Sequence, residues 1–452
     1  MISSNTIYRY AVLFIFLLPA LLTAQSRDNS PYSRFGLGDI QDDNFIHSRL
    51  MGGLGAATYN PYEINIVNPA SINYLTAAAF DVGFTADLNS LSDGSGQTAS
   101  FWAGNLSYIS LAFPLKNTLN DILDRKKRPI FIGMAFTLKP YSSVDFNIEN
   151  IDFIDGVGRV ARSLEGSGGT FDFTWSNSLR YKNLSFGVNT GVLLGRTLEQ
   201  RLVDFPDFGM TGSTLVEETA NHRGFVWRAG LLYTLYLSNR EVLEDNTIVP
   251  ERRLVFGLHG NSQTNLSTDL SEFRGGAILL QNGDFARDTL SFTSQEGLRG
   301  KLPSEFGAGI TYYKSDKFGA GINYSMTNWS GFNSPAVNED LNDARELSIG
   351  TFYRPNRTSV NSYFARVKYR LGAYYKQVPT ATNINPNGSV DDIGVSLGFS
   401  LPFFYQRKIS HAHLGVGVGV RGMNTAIEER YFRLSFSFTY SDDEWFLKRK
   451  YN

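Results

Sequence analysis

From residue 80 onward, apolar residues alternate with small or polar ones through repeated stretches of ten or so residues. Phe80, Val82, Phe84, Ala86 and Leu88 alternate with Asp81, Gly83, Thr85 and Asp87. Leu414, Val416, Val418 and Val420 alternate with Gly415, Gly417 and Gly419; Phe432, Leu434, Phe436, Phe438 and Tyr440 alternate with Arg433, Ser435, Ser437 and Thr439. Successive strand side chains point to opposite faces, so each stretch predicts a strand with one apolar and one small or polar face. Fourteen such strands are predicted: 79–89, 104–114, 130–140, 170–181, 183–195, 224–237, 253–264, 304–314, 317–327, 345–354, 364–376, 391–402, 409–421 and 430–441. Many are longer than globular strands and long enough to cross hydrocarbon at a steep tilt. An even count is what single-chain bacterial barrels use.

The connections carry a second pattern. If the first strand rises from the periplasm, the outer connections include 141–169, 196–223, 265–303, 328–344 and 377–390, all long. Several inner ones are short: Lys182, Ser315-Asp316 and Phe403 to Lys408. Long outer loops and short periplasmic turns are the outer-membrane arrangement. Two inner connections, 115–129 and 238–252, are long and break it. Aromatic residues gather near strand ends, as an interfacial girdle requires: Trp329, Tyr353, Tyr374, Tyr375, Phe403, Phe404, Tyr405, Tyr440 and Trp445. The fold expected is an all-β, 14-stranded antiparallel transmembrane barrel in the bacterial outer membrane, in contact with its lipid.

The two ends differ from the barrel. Arg9, the apolar run Ala11 to Leu22 and the small-residue site Leu22-Thr23-Ala24 form a signal-peptide pattern, so residues 1–24 are expected to be removed. Residues 25–78 do not alternate and are long enough for a plug of short helices and turns inside the lumen; a periplasmic tail is the other reading. The barrel then occupies 79–441, and 442–452 form a basic periplasmic tail ending Lys448-Arg449-Lys450-Tyr451-Asn452.

Composition narrows the function classes. With 452 residues, net charge −1 and balanced acids and bases, there is no electrostatic footprint for nucleic acid. The absence of cysteine excludes disulfides, thiolate metal sites and cysteine nucleophiles. Aromatics at 14% and 43 glycines favour strands and turns.

Asn68-Pro69-Ala70-Ser71 just before the first strand, the Gly-rich segment ahead of it and the fourteen strands together resemble the FadL/TodX-like outer-membrane transporters. Leu302 to Tyr312, Asn323-Tyr324 through Asn328-Trp329-Ser330, and Gly350 to Pro355 resemble that family's later strands. The opening Asn29 to Asp39 and the closing Trp445 to Lys450 look like the Bacteroidota version, in which PorV-like relatives are subunits of protein-export machinery. The resemblance implies an N-terminal hatch, a hydrophobic ligand path, and lateral exit through a gap at a kinked third strand. Pro140, at the end of the third predicted strand, lacks an N–H donor and fits such a gap; it is equally an ordinary strand terminator. The charged C-terminal tail departs from the terminal aromatic usual in such barrels.

Three patterns bear on chemistry. Gly156-Val157-Gly158-Arg159-Val160-Ala161 matches a dinucleotide fingerprint but sits in an expected outer loop, without the strand and helix that chemistry needs. Gly394-Val395-Ser396-Leu397-Gly398 matches a nucleophile elbow but alternates as a plain strand. His411 and His413, near Ser410, share a strand face but have no third ligand. No catalytic group, metal or cofactor is expected. Arg366, Lys368 and Arg370 fall at alternate positions of the eleventh predicted strand and face the lumen. They form either a carboxylate-binding ladder for a fatty acid or partners of plug and wall carboxylates such as Asp39, Asp42, Asp43, Glu63, Asp81 or Glu305.

Two functions remain. One is passive uptake of long-chain fatty acids or other hydrophobic compounds, gated by the plug, with lateral release. The other is a non-transporting subunit of a larger outer-membrane machine for protein secretion or barrel assembly, in which long loops dock the other subunits. Lumen positions rich in Gly, Ser and charge favour the second; the family resemblance favours the first.

Overall fold

The computed structural model describes residues 30–94, 96–116, 120, 129–208, 213–238, 240–242, 248–279, 285–337, 339–381, 389–405, 408–423 and 425–445. The expected signal peptide and most of the basic tail therefore lie outside the described residues.

Fourteen antiparallel strands close into a barrel. They are β1 (Ala78–Asp93), β2 (Thr98–Pro114), β3 (Ile130–Ile154), β4 (Gly158–Tyr181), β5 (Leu184–Asp204) and β6 (Ser213–Tyr236). Then come β7, in two pieces (Arg252–Asn261 and Thr264–Leu279), and β8, also in two (Phe285–Leu302 and Ser304–Lys314). The rest are β9 (Phe318–Asn328), β10 (Ala344–Tyr353), β11 (Lys368–Val378), β12 (Val390–Tyr405), β13 (Lys408–Arg421) and β14 (Ile427–Asp442). Each strand pairs with its sequence neighbours, and β14 closes on β1 from Ile427↔Asp93 to Asp442↔Ala78.

The alternation has the sense the sequence requires. Phe80, Phe84, Phe171, Phe173, Phe186, Ile322, Val395, Leu397, Leu414 and Leu434 are exposed on the outer wall, an apolar belt of the kind hydrocarbon covers. Their neighbours Asp81, Thr170, Asp172, Ser185, Ser396 and Ser435 are buried inside.

Three expected outer loops are instead paired ribbons. β3 and β4 remain hydrogen-bonded as far as Ile154↔Gly158, β5 and β6 as far as Val203↔Thr214, and the outer pieces of β7 and β8 as far as Leu279↔Phe285. Along the ribbons buried residues such as Phe146, Val160, Leu215 and Leu266 stand among partly exposed polar ones, so the apolar–polar contrast fades while backbone pairing continues. The dinucleotide-like Gly156 and Gly158, both at positive φ, flank the tip of the first ribbon; they lead into a strand rather than a helix, and the only helical turn close by, Pro206–Phe208 among the described residues, presents a carboxylate, Asp207, to Gly158. Of the two long inner connections, 115–129 lies mostly outside the described residues, and 238–252 contains a small hairpin, Arg240–Val242 with Ile248–Pro250.

Three aromatics assigned to the girdle turn inward, Trp329, Tyr374 and Phe404, the last at the short-turn mouth of the lumen. Trp329 is buried with Phe35, Leu341 and Ala381 because a short 3-10 turn, capped by the Asn328 side chain, folds it over the ribbon-end mouth. Tyr374 has inward parity on β11 and hydrogen-bonds Tyr431 across the lumen wall. Tyr353, Tyr405 and Trp445 do lie exposed near the short-turn end.

Candidate functional site

The distinctive feature of the molecule is what fills its lumen. Residues 30–77 touch strands around the closed wall, so this inner segment lies within the barrel. Its Asn68 shows why the local sequence folds as it does. The side-chain oxygen accepts from the Ala70 N–H (3.1 Å) and caps the 3-10 helix Pro69–Tyr74, with Pro69 at the first position, where no donor is needed. The Asn68 amide nitrogen meanwhile donates to the carbonyls of Ala56 (2.7 Å), Leu231 (3.1 Å) and Leu258 (3.2 Å). Asn68 thus ties its own segment to β6 and β7. Ser71 Oγ donates to the Asn65 carbonyl at 2.7 Å. The expected Asn68-Pro69-Ala70-Ser71 motif is a buried capping wedge.

Backbone passes so close to backbone here that particular wall positions must lack a side chain. A Cβ added at Gly257 on β7 would stand 1.9 Å from the Ala56 carbonyl oxygen, and one at Gly372 on β11 2.0 Å from the Gly52 nitrogen. Leu50, Leu54, Ala56, Ala57, Ile64, Ala70 and Ile72 are each almost wholly buried across the middle of the lumen. They separate a charged cavity of about 240 Å³ near the ribbon end from a cavity of about 630 Å³ at the short-turn end.

Charges lock the segment to the wall. Glu63, with its side chain 5% exposed, meets Arg370 at 2.5 Å and Lys368 at 3.4 Å, both on β11. Arg370 further donates to the His47 carbonyl (2.5 Å) and to Ser400 Oγ (2.9 Å), which lies 2.8 Å from His413 Nδ1. Asp43 joins Lys139 on β3 (2.5 Å) and Arg228 on β6 (2.6 Å); these pair in turn with Asp172 (3.0 Å) and Glu305 (2.6 Å). Asp42 faces Lys376 of β11 at 3.5 Å and Arg49 at 3.6 Å, and Asp39 faces Arg421 of β13 at 3.2 Å.

Every acid in the inner segment therefore meets a cation, and for three of them the charge partners dominate the titration. Burial raises the Glu63 carboxyl, but Arg370 and Lys368 outweigh it and hold the group well below the usual carboxylate range. Burial raises Asp42 as well, but Lys376 and Arg49 outweigh it and leave the group at about 2, and Asp43 is likewise held low by Lys139 and Arg228 against its burial. His47 is lowered as well, but by burial itself, which drives it down to about 3, so it is neutral. Breaking a buried pair from one side is costly, on the order of 3–5 kcal/mol, even where forming the pair gains little.

Two members of the expected basic ladder, Lys368 and Arg370, come together here on Glu63. Arg366 does not join them. β11 begins at Lys368, and Tyr363–Arg366 form a short helical turn that carries Arg366 to the short-turn cavity. The buried network on Lys139, Asp172, Arg228 and His259 was missed as a cluster, although each is a polar residue at an inward alternate position, which is the signal that finds it. Glu305 pairs with Arg228 rather than the ladder, and Asp81 accepts a hydrogen bond from Thr439.

Ser396 lies within a regular strand, accepts from the Gly52 N–H (3.2 Å) and donates to the Arg49 carbonyl (3.0 Å), with no elbow geometry. His411 and His413 do share the inner face of β13, with ring centroids 6.2 Å apart.

Between β2 and β3 the wall is only partly paired. β2 pairs with β3 only from Ile109↔Leu138 to Pro114↔Gly133, whereas β3 pairs with β4 along its whole length. Pro140 sits two residues past the last shared pair, beside a bulge at Tyr141. In the gap, Asp39–Ile40 of the inner segment pairs with Ser143–Ser142, and the Gln41 N–H donates to the Tyr141 carbonyl at 3.0 Å.

Comparison with known proteins places these features. The BamG family profile matches residues 6–452, and the chain belongs to that family. Among solved structures it is similar to the CymD monoaromatic hydrocarbon channel (17% identity, 90% of this chain and 98% of that one covered, TM-score 0.53). It is similar also to the Ralstonia pickettii toluene transporter TbuX (14%, 89% and 99%, 0.52) and to a Pseudomonas aeruginosa FadL homologue (13%, 90% and 99%, 0.53). At these identities the likeness is one of fold, the FadL-type barrel; these neighbours are channels and transporters, not enzymes. No curated protein matches the chain.

Proposed function

We propose that this BamG-family barrel is an outer-membrane protein whose main task is structural: a subunit of a larger outer-membrane assembly for protein secretion or barrel insertion. Its ribbons then face outward and its short turns the periplasm. The observation that carries the reading is the filled lumen. The inner segment acts as a plug held by four carboxylates on wall cations, and its middle is packed with buried side chains. A greasy conduit calls for mobile apolar lining; the charged groups facing the cavity near the ribbon end, Asp42, Arg49, Arg228 and Lys376 among them, suit it poorly. The family name, one lettered component of a series, points the same way.

The test is affinity purification of the tagged protein from native outer membranes in mild detergent, followed by sizing and mass spectrometry. Near-stoichiometric companions that persist through sizing are expected. A barrel that runs alone with bound lipid overturns the reading.

A second reading has its own support. The β2–β3 gap beside Pro140 lies where lateral release of a hydrophobic compound would occur, and the neighbours CymD and TbuX carry names of hydrocarbon transport. In that reading the inner segment is a gate, Asp39–Ile40 is its latch, and Lys368 and Arg370 exchange Glu63 for a ligand carboxylate.

A further inference from the structure

The cavity at the short-turn end carries charge that the lumen network does not use. Five arginines line it, Arg180, Arg253, Arg354, Arg357 and Arg366, against a single carboxylate, Asp316. Asp316 is committed to Arg354 at 3.1 Å and Arg357 at 3.9 Å. Among the described residues, no carboxylate pairs with Arg180, Arg253 or Arg366.

These three guanidiniums are held by rings instead. Arg180 lies over Tyr74 (4.2 Å) and Phe131 (4.3 Å), Arg253 over Tyr313 (4.4 Å) and Tyr59 (5.2 Å), and Arg366 over Tyr363 (5.3 Å). Stacking fixes a guanidinium plane while leaving its N–H edge free for an anion. The buried Nε atoms of Arg253, Arg354 and Arg366 have no hydrogen-bond partner. At the mouth, apolar groups stand in water: Val360 is 94% exposed and Phe404 64%.

We propose that this cavity docks an acidic, aromatic-bearing peptide segment of a partner protein. The inference rests on the reading of the chain as an assembly subunit. Charge complementarity selects an anion, and the planar forks select carboxylates presented in bidentate fashion. The volume of about 630 Å³ takes several residues rather than one small ion. The apolar rim beside arginine has the make-up of a protein-binding hot spot. Arg180, Arg253 and His411 are inward positions of β4, β7 and β13, so the wall separates the cavity from lipid headgroups outside.

The test uses the mature barrel in neutral detergent and a fluorescein-labelled hexapeptide, EEFEEF, with QQFQQF as its uncharged match. Saturable binding of EEFEEF is expected, weaker by about ten-fold or more for QQFQQF and for the double variant Arg253→Glu/Arg366→Glu. Arg299→Glu, an exposed arginine on a distant ribbon, should leave binding unchanged. A fluorophore on Val360→Cys, in a chain without other cysteines, reports occupancy with every arginine intact and serves if the double variant does not fold. Equal binding of the two peptides, or no response of the Val360→Cys label, overturns the proposal. Displacement of EEFEEF by inorganic phosphate or by phosphatidylglycerol nanodiscs at comparable concentration assigns the cavity to a phosphate-bearing ligand and overturns it too. If native purification yields a lone barrel, the subunit reading fails whatever the peptide does; if companions persist but EEFEEF does not bind, only this site fails.

Discussion

Substituting Glu63→Ala removes the one carboxylate that, among the described residues, is ion-paired with Lys368 and Arg370. Both cations stay buried, with side chains 5% and 0% exposed, and their fates differ. Arg370 keeps Ser400 Oγ and the His47 carbonyl, whereas Lys368 loses its ion pair and keeps the Phe352 ring, 4.9 Å from its Nζ. Leaving such charges unpaired costs on the order of 3–5 kcal/mol, which corresponds to an opening equilibrium about 150-fold larger at the lower bound. The change should concentrate in the inner segment, because the wall keeps its own ladder. Hydrogen exchange reads this directly at the amides of Leu50, Met51, Ser71 and Leu75, each bonded within the segment. Protection there should fall by about two orders of magnitude while β12 and β13 amides hold theirs. The triple variant Glu63→Leu/Lys368→Met/Arg370→Met, which replaces the charges by apolar volume, should restore most of the protection. Unchanged exchange in Glu63→Ala refutes the claim that this pair docks the segment, and failure of the triple variant to recover refutes the electrostatic cause.

Three further outcomes follow from the same contacts. Glu63, Asp42 and Asp43 titrate below their ordinary values when docked, so their contribution is complete above about pH 4.5 and is lost as pH falls through the docked values. For Asp42, lowered from 3.8 to about 2, the contribution is about 2 kcal/mol; the protection factor, which removes the intrinsic pH dependence of amide exchange, should be flat from neutrality to that point and fall below it, and a fall at neutral pH would contradict the assignment. Gly257→Ala places a Cβ 1.9 Å from the Ala56 carbonyl oxygen and should weaken docking by about 1–3 kcal/mol, read as lost protection at Ser71. Ile40→Cys with Ser142→Cys joins direct register partners, whose spacing suits a disulfide, and should cross-link on oxidation; thiols that stay free would place Asp39–Ile40 away from the gap.

The barrel was legible in the sequence because lipid outside and polar filling inside impose a period of two on every crossing. All fourteen predicted segments correspond to strands, with Arg366 the one site residue left off its strand. The ribbons were illegible because Ser163 to Gly169 and Ser267 to Gly276 carry few apolar residues and no regular alternation, so backbone pairing continues there without a hydrophobic signature. Alternation placed Lys368 and Arg370 inside, and their suspected carboxylate partners included Glu63. The order of partners was beyond reach, since it depends on how the non-periodic inner segment folds. Trp329 turned inward for the same reason: a local cap at Asn328, not strand parity, sets its direction.

The most direct test of the central claim, a lumen filled to serve assembly rather than passage, is uptake of a radiolabelled long-chain fatty acid and of toluene by vesicles holding the purified barrel. The account predicts uptake equal to that of protein-free vesicles. Saturable uptake abolished by the Ile40–Ser142 cross-link would contradict it and establish the gap as an exit.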